Sequence, residues 1–268
     1  MSVKAYNIKA IVSGGVYEFY RYEDTMFRGF SSTRSRGGGN ANTYHDEYGN
    51  PMILDTETGE LIPKKLHSRG RSNIRARNNI RRLALSNFDN RSKFLTLTFR
   101  ENMQDLEEAN KLFKAFMRKM RKERPDLKYI AVIEFQDGDR REDGKGRGAI
   151  HYHLLCNLSY MRVEKIRKYW RDVVGEGNID LQKIDHVDNV GAYIIEYMTK
   201  ESADPRLQGK KMYQCSKGLD KPKELIGAQA EYLYEKMLEE KRKKVYSSSY
   251  ENKQTSNQVF YEEYNLRR

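Results

Sequence analysis

The sequence predicts an α+β fold: a ferredoxin-like β-α-β-β-α-β antiparallel sheet with helices on one face and a tyrosine-bearing helix after the last strand. Three observations predict it. Four short runs rich in β-branched and aromatic residues lie between Phe94 and Ile184. Two segments between them carry apolar residues at a helical period. The two kinds of segment alternate in the order that this architecture requires.

The first strand is Phe94-Leu95-Thr96-Leu97-Thr98-Phe99, with threonine at alternate positions. Asn102 can cap a helix running to about Arg124, with Leu112, Phe113, Phe116, Met117 and Met120 on one face and Pro125 stopping it. Tyr129 to Phe135 reads as the second strand, Gln136 to Gly148 as a charged loop, and Ala149 to Cys156 as the third strand. A helix from Val163 to Val174 presents Ile166, Tyr169, Trp170 and Val173, and Gly175 ends it. Ile179 to Ile184 is the fourth strand, and Asp188 to Lys200 the closing helix.

Extensions flank this core. Residues 1–90 contain short Tyr- and Val-rich pieces broken by Gly37-Gly38-Gly39-Asn40 and Gly49-Asn50-Pro51. Residues 91–204 form the expected catalytic domain. Residues 205–268 read as a linker, a charged helix from Pro222 to Lys244, and a polar, mobile tail from Tyr246.

Composition narrows the function. The 268 residues hold 50 Lys plus Arg against 38 Asp plus Glu, a formal net charge of +12, so the expected partner is a polyanion. No stretch approaches the length of apolar chain needed to span a membrane, and no secretory signal is legible. Two cysteines, Cys156 and Cys215, form neither a CxxC pair nor a disulfide framework, which fits a reducing cytoplasm. The charge is concentrated: Leu61 to Phe88 lacks acidic residues and carries Lys64, Lys65, Arg69, Arg71, Arg75, Arg77, Arg81 and Arg82. Such a run is a solvated helix face, a flexible arm, or an element that contacts phosphates; the preponderance of arginine favours the last.

The chemistry centres on His151-Tyr152-His153. Residues two apart on a strand share a face, so both imidazoles point one way while Ile150, Tyr152 and Leu154 point to the helices. By the same parity Glu134 falls on the histidine face, between the core-facing Ile133 and Phe135. Thr96 and Thr98 line that face too. Two imidazoles and a carboxylate make a three-ligand divalent site with open positions. On the closing helix Tyr193 and Tyr197 are four apart, and Lys200 follows Tyr197 by three, so all three share a face. A tyrosine oxygen can attack a phosphodiester. Tyr246-Ser-Ser-Ser-Tyr250-Glu-Asn-Lys253 repeats the spacing, but in a Ser-rich tail without apolar neighbours to hold it.

In that order, Phe94–Phe99, His151-Tyr152-His153 and Tyr193–Lys200 resemble the HUH endonuclease superfamily, and within it the rolling-circle replication initiators of phages and plasmids. The resemblance covers about residues 92–203. It implies that His151, His153 and Glu134 bind a divalent metal, Mg or Mn, that Tyr197 is the nicking nucleophile, and that Tyr193 is a second one. It implies a single-stranded origin DNA substrate in a bacterial cytoplasm, with the host supplying helicase and polymerase, since no ATPase motif is legible. Arg69, Arg71, Arg75, Arg77, Arg81, Arg82, Thr96 and Thr98 are the expected DNA contacts, and Lys200 the residue that stabilises charge on the phenolate. Two positions depart from the pattern: Tyr152 stands where an aliphatic residue is usual, and Glu196 where two-tyrosine enzymes often carry lysine. A basic nucleic-acid-binding or packaging protein and a two-histidine-one-carboxylate iron oxygenase are the competing readings.

Overall fold

The computed structural model describes residues 3–29, 43–45, 51–54, 61–136, 148–198, 206, 210–252 and 255–268. In chain order its elements are β1 (Lys4–Ser13), β2 (Val16–Arg28), β3 (Thr43–His45), β4 (Pro51–Leu54), β5 (Leu61–Pro63), α1 (Lys64–Asn87), β6 (Lys93–Phe99), α2 (Leu106–Glu123) and β7 (Tyr129–Gln136). There follow β8 (Ala149–Cys156), α3 (Val163–Val174), β9 (Gly177–Lys183), α4 (Val190–Glu196), β10 (Tyr213–Cys215), β11 (Lys223–Ile226), α5 (Ala228–Glu239), β12 (Lys244–Asn252) and β13 (Asn257–Asn265). The result is a mixed α+β protein with two antiparallel five-stranded sheets and a small three-stranded one.

The chain divides into two compact units. The larger comprises residues 42–84 and 88–219 and holds the sheet β10-β7-β8-β6-β9, every neighbouring pair antiparallel. One face of this sheet forms a core with α2 and α3. Leu95, Leu97, Phe99, Ala131, Ile133, Tyr152 and Leu154 meet Phe113, Phe116, Met120, Ile166 and Trp170 there. The strand parity read from the sequence places these residues on the helix side. Aromatic edges lock the layer: Trp170 meets Phe99 at 5.1 Å and Phe116 at 5.4 Å between ring centroids. The Trp170 indole also donates to the Thr98 carbonyl at 2.9 Å. A Cβ on Gly177 would stand 2.7 Å from that carbonyl, so only glycine lets β9 approach β6 here.

Helix α2 starts later than the sequence suggests. Asp105, not Asn102, is its N-cap, its carboxylate accepting from the Glu107 and Glu108 amides. The closing helix is shorter than expected. It spans seven residues, with the Asn189 side chain capping the Ala192 amide and Tyr197 at its C-cap. Lys200 lies outside the described residues. The second sheet face is not fully open: Phe94, Ile130, Val132 and Leu155 are buried. Helix α4 packs over β8 on this side, burying Val190, Ile194 and Met198.

The smaller unit, residues 1–41, 85–87 and 220–268, is built on the sheet β11-β1-β2-β13-β12. Helix α5 covers one face, where Ile8, Ala10, Phe19, Ala230, Met237 and Tyr264 form a second core. Two expectations are corrected here. The polar tail is the hairpin β12–β13, and β13 pairs with β2, for example Val259 with Tyr22. The charged helix does not begin at Pro222. Strand β11 comes first, and Gly227, at φ +59°, turns the chain into α5.

Candidate active site

Strand register assembles the site. Thr96 pairs with His153 and Thr98 with His151 across β6 and β8, while Glu134 of β7 stands opposite His151. One ligand atom from each of Glu134, His151 and His153 lies within 4.8 Å of the others. The Nε2 of His153 is 2.7 Å from Oε2 of Glu134, and its Nδ1 is 3.1 Å from Oγ1 of Thr96. His153 is buried at 5 % exposure, whereas the Glu134 side chain is 39 % exposed. The imidazole therefore sits in the protein and the carboxylate reaches solvent, leaving one side of the cluster accessible.

The donor set fits a divalent ion. Two neutral imidazole nitrogens and a carboxylate oxygen suit Mn, Fe or Zn, and Mg where phosphate oxygens complete the shell. In this geometry the Thr96 hydroxyl donates to Nδ1 while Nε2–H donates to Glu134. Loading requires the other tautomer, with Nδ1–H donating to Thr96 and the Nε2 lone pair free.

The tyrosine pair stands over this cluster. The Tyr197 ring lies 4.2 Å from the His153 ring, tilted by 31°, and its hydroxyl donates to that of Tyr193 at 3.5 Å. Burial, the Tyr193 hydroxyl, and the charges of Glu134 and Glu196 push the Tyr197 phenol above its ordinary pKa. Phe94 supports both tyrosines, with ring centroids 4.9 Å from Tyr193 and 4.8 Å from Tyr197, and it stacks on His153 at 5.8 Å. Sequence reasoning assigned Phe94 to a strand and gave it no place in the site. Its parity with Thr96 and Thr98 was the available signal.

The other expected residues fall in distinct places. Thr98 donates its hydroxyl to the Asn178 carbonyl at 3.2 Å. Arg77, half-buried, donates to the Met198 carbonyl at 3.1 Å, just past Tyr197. Arg75 is exposed, and Arg81 and Arg82 are half-buried. Arg69 and Arg71 fall on the first half of α1, and their side chains lie outside what the structure describes. Tyr250, the spacing decoy, lies in the smaller unit on β12.

Tyr152 explains its own departure from the expected pattern. It points away from the histidines, stacks on Phe113 at 4.5 Å and donates to Asn110 Oδ1 at 2.9 Å. A polar aromatic is tolerated between the histidines because its hydroxyl finds a partner in the core.

A sheet carrying two histidines and a carboxylate under a tyrosine pair defines a candidate centre for metal-assisted phosphoryl chemistry. Residues 92–202 match the family model of the replication-associated protein ORF2 and the phage gene 2 protein, a family of HUH-type rolling-circle replication initiators. The similarity expected from the motifs is thereby shown for this segment, which holds the triad, both tyrosines and Lys200. Among solved structures, the chain is similar to the crystal structure of the hypothetical protein ORF119 from Sulfolobus islandicus rod-shaped virus 1. The identity is 14%, the TM-score 0.31, and the alignment covers 47% of this chain and 97% of that one. No curated protein matches. Among the described residues, no helix is long and apolar enough to cross a membrane.

Proposed function

We propose that the protein initiates rolling-circle replication by nicking single-stranded origin DNA with Tyr197 and later rejoining the strand. One observation carries this reading: the Tyr197 ring packs on His153, inside a cluster of metal-ligand chemistry. The strand order β7-β8-β6-β9 supports a ferredoxin-like reading of residues 91–204 as the nicking domain. The family match supports origin DNA as the substrate.

Glu134, His151 and His153 would hold the divalent ion, Mg or Mn. When bound, it supplies charge neutralisation at the scissile phosphate. The chain's own residues do the rest. Phe94 and His153 orient the Tyr197 ring, and Tyr193 accepts its hydroxyl proton in a hydrogen bond. The phenolic oxygen attacks phosphorus, an O–P bond to tyrosine forms, and the P–O3′ bond breaks. The leaving 3′-oxygen takes up a proton and becomes the primer end for a host polymerase. The 5′-phosphotyrosyl ester conserves the bond energy, so a 3′-hydroxyl, or Tyr193 in a second round, can resolve it without ATP. Lys200 stabilises the phenolate, and the arginines of α1, with Thr96 and Thr98, hold the strand. A bacterial cytoplasm with host helicase is the setting this chemistry needs.

The test is labelled single-stranded origin DNA incubated with Mn or Mg and resolved on a denaturing gel. A covalent protein–DNA adduct that needs the ion is expected. Its absence with every candidate origin and ion would leave a basic DNA-binding protein instead.

A further inference from the structure

Helix α2 presents a second charged surface on the side of the sheet away from the tyrosines. Its apolar stripe, including Phe113, Phe116 and Met120, is buried in the core. The opposite face places Lys111, Lys114, Arg118 and Arg121 at steps of three and four residues, all exposed. These four cations line a groove of about 490 Å³ that has Tyr129 in its wall. From Lys111 to Arg121 the row runs about 15 Å along the helix.

Little neutralises it. Lys111 meets Glu108 at 3.2 Å, but its side chain is 76 % exposed and such a pair contributes little. Glu107, at the groove's N-terminal end, is taken up by Lys210 at 3.5 Å. Arg121 sits 5.6 Å from the Tyr129 ring centroid. Among the described residues, Lys114 and Arg118 have no carboxylate partner.

We propose that this row grips the phosphate backbone of duplex DNA, a site separate from the one that holds the strand to be nicked. The chemistry selects a duplex. Proteins that hold single strands offer exposed aromatic rings for bases to stack on, and Tyr129, the groove's one aromatic residue, is buried. What remains is a rigid line of cations suited to a rigid line of phosphates, without base readout. The triad lies on the opposite sheet face, so a duplex on α2 leaves the nicking face free.

This inference rests on the nicking reading only for its choice of nucleic acid. The experiment compares wild type, Lys114→Ala/Arg118→Ala, and Lys114→Arg/Arg118→Lys. Fluorescence anisotropy follows a labelled duplex of about 30 base pairs lacking origin sequence between about 50 and 200 mM salt. Each lost phosphate contact lowers the slope of log K against log salt by about 0.9. The alanine variant should therefore bind more weakly at the lowest salt and show a roughly tenfold smaller loss of affinity across that range. The charge-conserving variant should match wild type, and both should nick a short single-stranded oligonucleotide at the wild-type rate. Unchanged duplex affinity and slope in the alanine variant would overturn the proposal. So would retained duplex binding with loss of binding to phosphatidylserine vesicles, which would make the surface a lipid site. Failure of wild type to nick would count against the nicking reading alone.

Discussion

The hydroxyl of Thr96 lies 3.1 Å from Nδ1 of His153, so the residue beside a candidate ligand sets which of its nitrogens is available. Removing that partner leaves the ring free to choose a tautomer and an angle. Thr96→Val should lower Mn affinity by about 10- to 100-fold, the usual cost of losing an orienting partner. Thr96→Ser should restore most of it. Isothermal titration with Mn measures both, and unchanged affinity in Thr96→Val would remove Thr96 from the centre.

Tyr152 should act on stability and not on chemistry. Its hydroxyl donates to Asn110 Oδ1, which Gln214 also approaches. Tyr152→Phe deletes one core hydrogen bond and should cost about 0.5–1.5 kcal/mol. Tyr152→Ala empties a ring-sized volume against Phe113 and should cost about 3–5 kcal/mol. Urea denaturation gives both values, and Mn affinity of Tyr152→Phe should stay at the wild-type level.

Arg77 separates positioning from DNA contact. Its guanidinium is spent on the Met198 carbonyl, at the end of the segment that carries Tyr197. Hydrogen bonds to charged groups contribute about 1.5–3 kcal/mol. Arg77→Ala should slow adduct formation at saturating DNA while leaving DNA affinity nearly unchanged. Arg75→Ala, on an exposed position, should do the reverse and weaken binding at low salt. Single-turnover nicking and anisotropy measure the two effects; equal losses of affinity in both variants would make Arg77 a plain DNA contact.

How much of this was legible follows from the range of each interaction. The two-residue period of a strand puts His151, His153 and Glu134 on one face, and Tyr152 on the other, without knowledge of the partner strands. The apolar faces of α2 and α3 were readable for the same local reason. The smaller sheet was not, because Tyr22 and Val259 pair across most of the chain. Strand β12 lies at a sheet edge with most of its residues exposed, so its composition reads as a polar tail. Arg77 looked like one of eight equivalent cations. Its bond to Met198 depends on where α1 runs past the end of α4, which no local pattern encodes.

The central claim is that Tyr197 becomes covalently attached to DNA. Protease digestion and mass spectrometry of the trapped protein–DNA adduct identify the linked residue directly. The expected result is a 5′-phosphate on the peptide carrying Tyr197, with no adduct from Tyr197→Phe despite an unchanged melting temperature and Mn affinity. A phosphate mapped to Tyr250, or full adduct yield in Tyr193→Phe/Tyr197→Phe, would contradict it.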